Sequence, residues 1–245
     1  MGTAGGSRIE LKTMFNVRDL GGYQTAYGVS KPRRFLRSGD TMFLCDEELE
    51  QLLGYGVRRV VDLRMSVERP ELSDRFARLD GVSWMSASMA DDRTMTPEWT
   101  KTGRIVEFVI EGYTRMLSDL LGIRELITFM AEAGPEDCVL FHCAAGMDRT
   151  GIVSMLILGA AGASREDIVA DYAYSFASDE EVDEVMASWD PTLPPPLHDG
   201  TITRIHAMFM LYDRIVSKYG SVRGFLLHCG VSERVIDALV AHLVR

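Results

Sequence analysis

Apolar positions along the chain follow two rhythms. Short apolar or β-branched runs stand at Phe35–Arg37 and Arg58–Leu63, the length and composition of strands. Between them Asp46–Leu53 keeps helical spacing and meets Gly54 and Gly56 where a helix would stop. Val82–Met85 is a weaker strand signal. Strand, helix, strand at this spacing predicts a βαβ unit and a largely parallel sheet.

From Pro97 onward the helical period dominates. Pro97 suits a first helical turn, and Ile105, Val109, Tyr113, Met116 and Leu117 keep to one face. Ile123–Ala133 continues as a second helix up to Gly134 and Pro135. Cys138–His142 is a short apolar strand running straight into Cys143–Arg149, and Thr150–Ala161 follows as an apolar helix. Ser164 with Glu166 and Asp167 behind it is an N-cap opening another helix. Trp189–Gly200, with Pro191 and Pro194–Pro196, reads as a loop and candidate hinge; helices are predicted at Ile202–Tyr219, Val222–His228 and Ser232–Leu243. The pattern is that of an α/β fold, a mostly parallel central sheet flanked by helices with a helical C-terminal cap. One domain over residues 1–245 is expected, with a flexible Gly-rich tail at residues 1–10.

Composition narrows the classes of function. Hydrophobic residues make up 47% and charged residues 25%, as in a globular protein with a sizeable core. The longest apolar run, Gly151–Ala163, is too short to span a bilayer and is expected as a buried helix. A net charge of −10 without a Lys/Arg-rich stretch argues against nucleic acid as a partner. No apolar stretch of signal-peptide length opens the chain, and Gly6 stands where a myristoylation signal needs Ser or Thr, so a cytoplasmic protein is expected, export by another route left open. Cys45, Cys138, Cys143 and Cys229 are scattered without a CxxC pair, which suggests reduced thiols. His198, His206, His228 and His242 lack metal-ligand spacing, so neither metal nor cofactor is expected.

The chemistry gathers at His142-Cys143-Ala144-Ala145-Gly146-Met147-Asp148-Arg149-Thr150-Gly151. A strand delivers Cys143 to a tight loop, and a helix begins just after it. Helix N-termini and nests of successive N–H groups bind anions, so the backbone from Ala144 to Arg149 is a candidate phosphate cradle, with Gly146 supplying the turn. A thiol in such a place ionises readily. Arg149 offers a planar fork for two phosphate oxygens, Thr150 a hydroxyl near the sulfur, and His142 a means of orienting the loop. Ester cleavage also needs a proton donor; Asp148 is the first candidate, with Asp91 or Asp92 on a lid as the alternative. Trp189-Asp190-Pro191 reads as a turn. Arg18, Asp19, Asp62 and Arg64 would brace the loop, line the substrate mouth or form a buried ion-pair network.

These residues resemble the Cys-x5-Arg signature of the protein tyrosine phosphatase superfamily, and most closely the bacterial tyrosine and dual-specificity phosphatases that carry HCxxGKDRTG. Asn16–Gly22 resembles their NFRDLGG block, Val61–Arg64 their DLR strand, and Tyr219–Ser221 through Val231-Ser232 their C-terminal helices. The resemblance implies attack by Cys143, a phosphocysteine intermediate, Asp148 as general acid, and a phosphorylated protein or small phosphate monoester as substrate. It implies phosphotyrosine first, with phosphoserine and phosphothreonine also in range and phosphoinositides as an alternative. Met147 replaces the lysine that relatives associate with phosphoinositide use, which turns the expectation toward phosphoproteins. A rhodanese-like sulfurtransferase or an arsenate reductase is the more distant alternative, though neither needs Arg149-Thr150-Gly151 at this spacing.

Overall fold

The computed structural model describes residues 6–69, 74–89, 105–176, 181–182 and 200–245. The expected lid carboxylates Asp91 and Asp92, Pro97 and nearly all of the Trp189–Gly200 loop lie outside these residues.

The strands are β1 (Arg18–Asp19), β2 (Gln24–Thr25), β3 (Gly28–Val29), β4 (Phe35–Ser38), β5 (Val57–Asp62), β6 (Ser83–Ser86) and β7 (Cys138–His142). The helices are α1 (Asp46–Tyr55), α2 (Ile105–Met116), α3 (Leu120–Ala131), α4 (Asp148–Ala160), α5 (Arg165–Ala173), α6 (Gly200–Tyr219), α7 (Val222–His228) and α8 (Glu233–Val244), with 3₁₀ turns at Ser66–Glu68 and Arg75–Arg78. The five-stranded sheet runs β1-β4-β7-β5-β6. Only β1 is antiparallel to its neighbour; β4, β7, β5 and β6 are parallel. The α/β fold with a mostly parallel sheet and C-terminal helices is as the pattern predicted.

Side chains alternate across β7 because strand residues point to opposite faces in turn. Val139 and Phe141 join the larger core formed with α2 to α8, while Cys138 and Leu140 join the smaller one under α1. A strand buried on both faces reads as a near-continuous apolar run, and β7 is buried at all five positions, with His142 its one polar residue. Helix α1 passes Gly54 and stops at Gly56, whose positive φ of 110° lets its N–H cap the last turn. Helix α4 starts at Asp148, two residues before the predicted Thr150, since an acidic residue suits a first turn. The caps at Ser164, Ser221 and Ser232 are made by side-chain oxygens accepting N–H bonds. Of the stretch expected as a tail, Arg8 bridges Arg18 in antiparallel fashion, and Ile9 N–H donates to Val17. All four cysteines are free.

This topology decides where chemistry is possible. Ser38 and Asp62 both register with His142, so the loops leaving β4, β5 and β7 emerge together at the carboxyl edge of the sheet. Open parallel sheets bind ligands at that edge. No described helix is long and apolar enough to cross a membrane.

Candidate active site

Cys143 leaves the central strand with 2% of its surface exposed, and Ala144 and Ala145 are exposed beyond it. The three carbonyls that follow are each taken from outside. Ala144 O accepts from Asp40 N at 3.0 Å, Ala145 O from Asn16 Nδ2 at 3.0 Å, and Gly146 O from an Arg37 guanidinium nitrogen at 2.9 Å. With carbonyls drawn outward, the loop's N–H groups are left for a ligand held within it, the pattern of an anion nest. Gly146 has φ +70°, and a Cβ there would lie 2.5 Å from Gly39 N; only glycine fits this close approach.

Behind the loop is a buried charge network. Arg37 donates to the Asp171 carboxylate and, at 2.9 Å, to Ser175 Oγ. Arg18 reaches the Asp171 carbonyl at 2.6 Å and Ser175 Oγ at 3.1 Å. Arg18, Arg37 and Asp171 are each at most 1% exposed. A buried charge is tolerable only when paired and hydrogen-bonded, and here the pairing fixes the arginine that holds Gly146.

Arg149 lies in the first turn of α4. Its two terminal nitrogens meet Glu68 at 2.5 and 2.8 Å, a two-pronged pair from the 3₁₀ turn after β5. A guanidinium has five N–H donors, so this pair leaves three. Burial alone would lower the Arg149 pKa, but Glu68, Cys143 and Asp148 outweigh it and raise it. The same contact, foremost, holds Glu68 below the usual carboxylate range.

Asp148 is held from the helical layer. Its Oδ1 accepts from the Tyr113 and Tyr172 hydroxyls, the latter at 2.8 Å, and Arg204 reaches Oδ1 at 2.7 Å and Oδ2 at 2.8 Å. Burial first, then neighbours including Asp148, push both phenols well above 10, so they remain donors. The Asp148 side chain keeps 30% of its surface exposed.

His142 is fully buried, with Nε2 3.1 Å from Asp74 Oδ2 and Nδ1 3.4 Å from the Cys143 carbonyl. Asp74 also accepts from Trp84 Nε1 at 2.7 Å and Phe76 N at 2.9 Å. Burial would raise the Asp74 pKa; His142, Trp84 and Phe76 together bring it below its ordinary value. Asp62, Asp74 and His142 place ligand atoms within 4.8 Å of one another, but Arg64 already spans the Asp62 carboxylate at 2.8–3.2 Å. These contacts form an ion-pair and hydrogen-bond network.

The whole chain carries the same signal as the loop. A sequence model of the tyrosine phosphatase family matches residues 9–245. This chain belongs to that family. A tyrosine-protein phosphatase of Nostoc commune is 30% identical over 219 residues, covering 85% of this chain and 74% of its own. The triple specificity protein phosphatase PtpB of Mycobacterium tuberculosis is 26% identical over 276 aligned positions, covering 94% of this chain and 96% of its own. The molecule is a protein-tyrosine phosphatase, a hydrolase with a bacterial type of sequence.

Within this tyrosine phosphatase the predicted residues divide. Cys143, Asp148, Arg149 and the intervening backbone share one loop and helix start; His142 supports it from the strand. Thr150 is fully buried with Oγ1 3.5 Å from the Ser38 carbonyl. Arg64 reaches the loop through Asp40, which it meets at 2.6 Å and whose N–H binds Ala144. Asp62 holds Arg64, and Arg18 shares Arg37's partners. Asp19 lies elsewhere: its carboxylate accepts from Gly21 N, Arg33 N and Tyr55 Oη at 2.6–2.7 Å, tying the turns around β1. Asn16, Arg37, Asp40, Glu68, Asp74, Tyr113, Asp171 and Arg204 were not singled out in the sequence as site residues, although Asn16 and Tyr113 fell within patterns it did mark.

Proposed function

We propose that this phosphatase hydrolyses phosphotyrosine in proteins through a phosphocysteine intermediate on Cys143. The observation that carries the reading is the loop itself: a near-buried cysteine at the carboxyl end of the central strand, three successive carbonyls tied outward, and Arg149 beside it.

In the first step the Cys143 thiolate attacks phosphorus while the P–O bond to the substrate breaks. The loop N–H groups and the free donors of Arg149 hold the three equatorial oxygens, whose charge must be balanced in the transition state. Asp148 gives its proton to the departing phenolic oxygen. In the second step Asp148, now a carboxylate, takes a proton from water as the water oxygen attacks phosphorus and the S–P bond breaks; Thr150 assists the leaving sulfur. Tyr113, Tyr172 and Arg204 fix the Asp148 carboxyl for both transfers. Glu68 holds the Arg149 fork in place, and Arg37 and Asn16 hold the cradle. The breadth in the name of the 26%-identical relative makes phosphoserine and phosphothreonine necessary members of any substrate panel.

Steady-state kinetics on phosphotyrosine, phosphoserine and phosphothreonine peptides and on phosphoinositides tests this. The expected order places phosphotyrosine highest, with all turnover lost in Cys143→Ser. A phosphoinositide preferred over every peptide would overturn the substrate assignment.

A further inference from the structure

The carboxyl edge of the sheet carries a second feature. Nine large hydrophobic side chains are exposed among the described residues, and four of them, Phe15, Met42, Phe43 and Val67, lie on the three short segments that touch the catalytic loop. Phe15 precedes Asn16, which binds Ala145; its own carbonyl accepts from Gly39 N at 2.8 Å. Met42 and Phe43 follow Asp40, which binds Ala144. Val67 precedes Glu68, which holds Arg149. Phe15 is 73% exposed, Phe43 68% and Val67 87%.

The backbone explains why the segments that carry them lie round one loop. These segments leave β4 and β5 at their carboxyl ends or enter β1 opposite the end of β4, so all three open beside Cys143. The acidic groups on them do not offset the apolar character, because Asp40 pairs with Arg64 and Glu68 with Arg149. Met147 adds an uncharged, partly buried side chain in the loop itself. Exposed apolar side chains scattered singly need no explanation, but a cluster around a functional mouth marks a contact surface.

We infer that this rim binds aliphatic or aromatic side chains next to the phosphorylated residue, making the enzyme selective for phosphotyrosine peptides with apolar flanks. The inference rests on the phosphotyrosine reading above and names its substrate class. A peptide whose phosphate enters the loop brings its neighbouring residues to the mouth that these three segments border. A lipid surface fits less well: interfacial contacts combine apolar with basic faces, and a chain of net charge −10 is repelled by anionic headgroups. Contacts outside the reacting centre contribute to the transition state and so register in kcat/KM.

The test compares phosphotyrosine peptides that differ only in the flanking positions, Leu or Phe against Ser or Gln, with p-nitrophenyl phosphate as a substrate without flanks. The expected kcat/KM ratio is about three- to tenfold in favour of apolar flanks, falling toward one in the triple variant Phe15→Ser, Phe43→Ser, Val67→Ser. Equal rates across the flanks, or a preference that survives the triple variant, would overturn the assignment while leaving the phosphatase reading intact. Failure to hydrolyse p-nitrophenyl phosphate would remove the phosphatase reading, and the inference with it. Sedimentation with phosphatidylglycerol vesicles that is lost in the triple variant would reassign the rim to lipid and overturn the peptide claim.

Discussion

An aspartate whose one oxygen accepts from two phenols and a guanidinium has its position set before any proton moves. Asp148 is in that situation, and the donors come from three helices, α2, α5 and α6. Arg204→Gln withdraws one of those three anchors and leaves the two phenols in place. In Arg204→Gln kcat/KM on esters with poor leaving groups should therefore fall by more than on activated aryl phosphates. Asp148→Asn should slow esters with poor leaving groups by about 10²–10⁴ and activated aryl phosphates far less. Equal slowing of both would show that Asp148 organises the loop without donating the proton. Residue-level legibility was uneven in a physical way. Arg37 within an apolar strand is a buried charge that demands a partner, a signal present in the sequence; Asp171 lies in a helix with three other charged residues, and its burial shows only in the fold. Glu68 sits in a single 3₁₀ turn, and Arg204 is a part-exposed residue of a long helix; at such places a charge needs no partner and so points to none.

Among the elements, the β7–loop–α4 unit was readable because an apolar strand, a glycine and an apolar helix follow one another without a gap. The antiparallel β1 and the β2–β3 hairpin were not, since two-residue strands are too short to show a period. The 3₁₀ turn at Arg75–Arg78 matters more than its length suggests. Its N-cap Asp74 ties it to His142 at the end of β7 and to Trp84 in β6. The Asp74 pKa is lower in the folded chain than in the unfolded one, so its contribution to stability is present above the ordinary value of 3.8 and disappears as pH falls through the lowered value. Asp74→Asn should cost about 2–4 kcal/mol near neutral pH. Measured by urea unfolding, the gap from the wild type should narrow as pH drops below about 3.8. A gap that stays constant down to pH 3 would mean that the carboxylate charge is not what Asp74 contributes.

At the scale of the molecule, the sheet gathers what the chain separates. Cys143, the loop brace Asp40 and the arginine clamp Glu68 come from the loops after β7, β4 and β5, and parallel topology brings those ends to one edge. The helical layer adds Tyr113, Tyr172 and Arg204 from above, so both layers converge on one loop of Cys143 to Arg149. The α/β class and the position of Cys143 followed from local pattern; the convergence did not, because it is made by contacts between different elements, from Tyr172 to Asp148, 24 residues apart, up to Asn16 to Ala145, 129 apart. All of it serves one covalent claim. Rapid mixing with a ³²P-phosphotyrosine peptide, quenched in detergent within milliseconds and mapped by proteolysis, tests that claim directly. The account predicts label on the peptide containing Cys143, absent in Cys143→Ser together with turnover; label on another residue, or turnover that persists in Cys143→Ser, would contradict it.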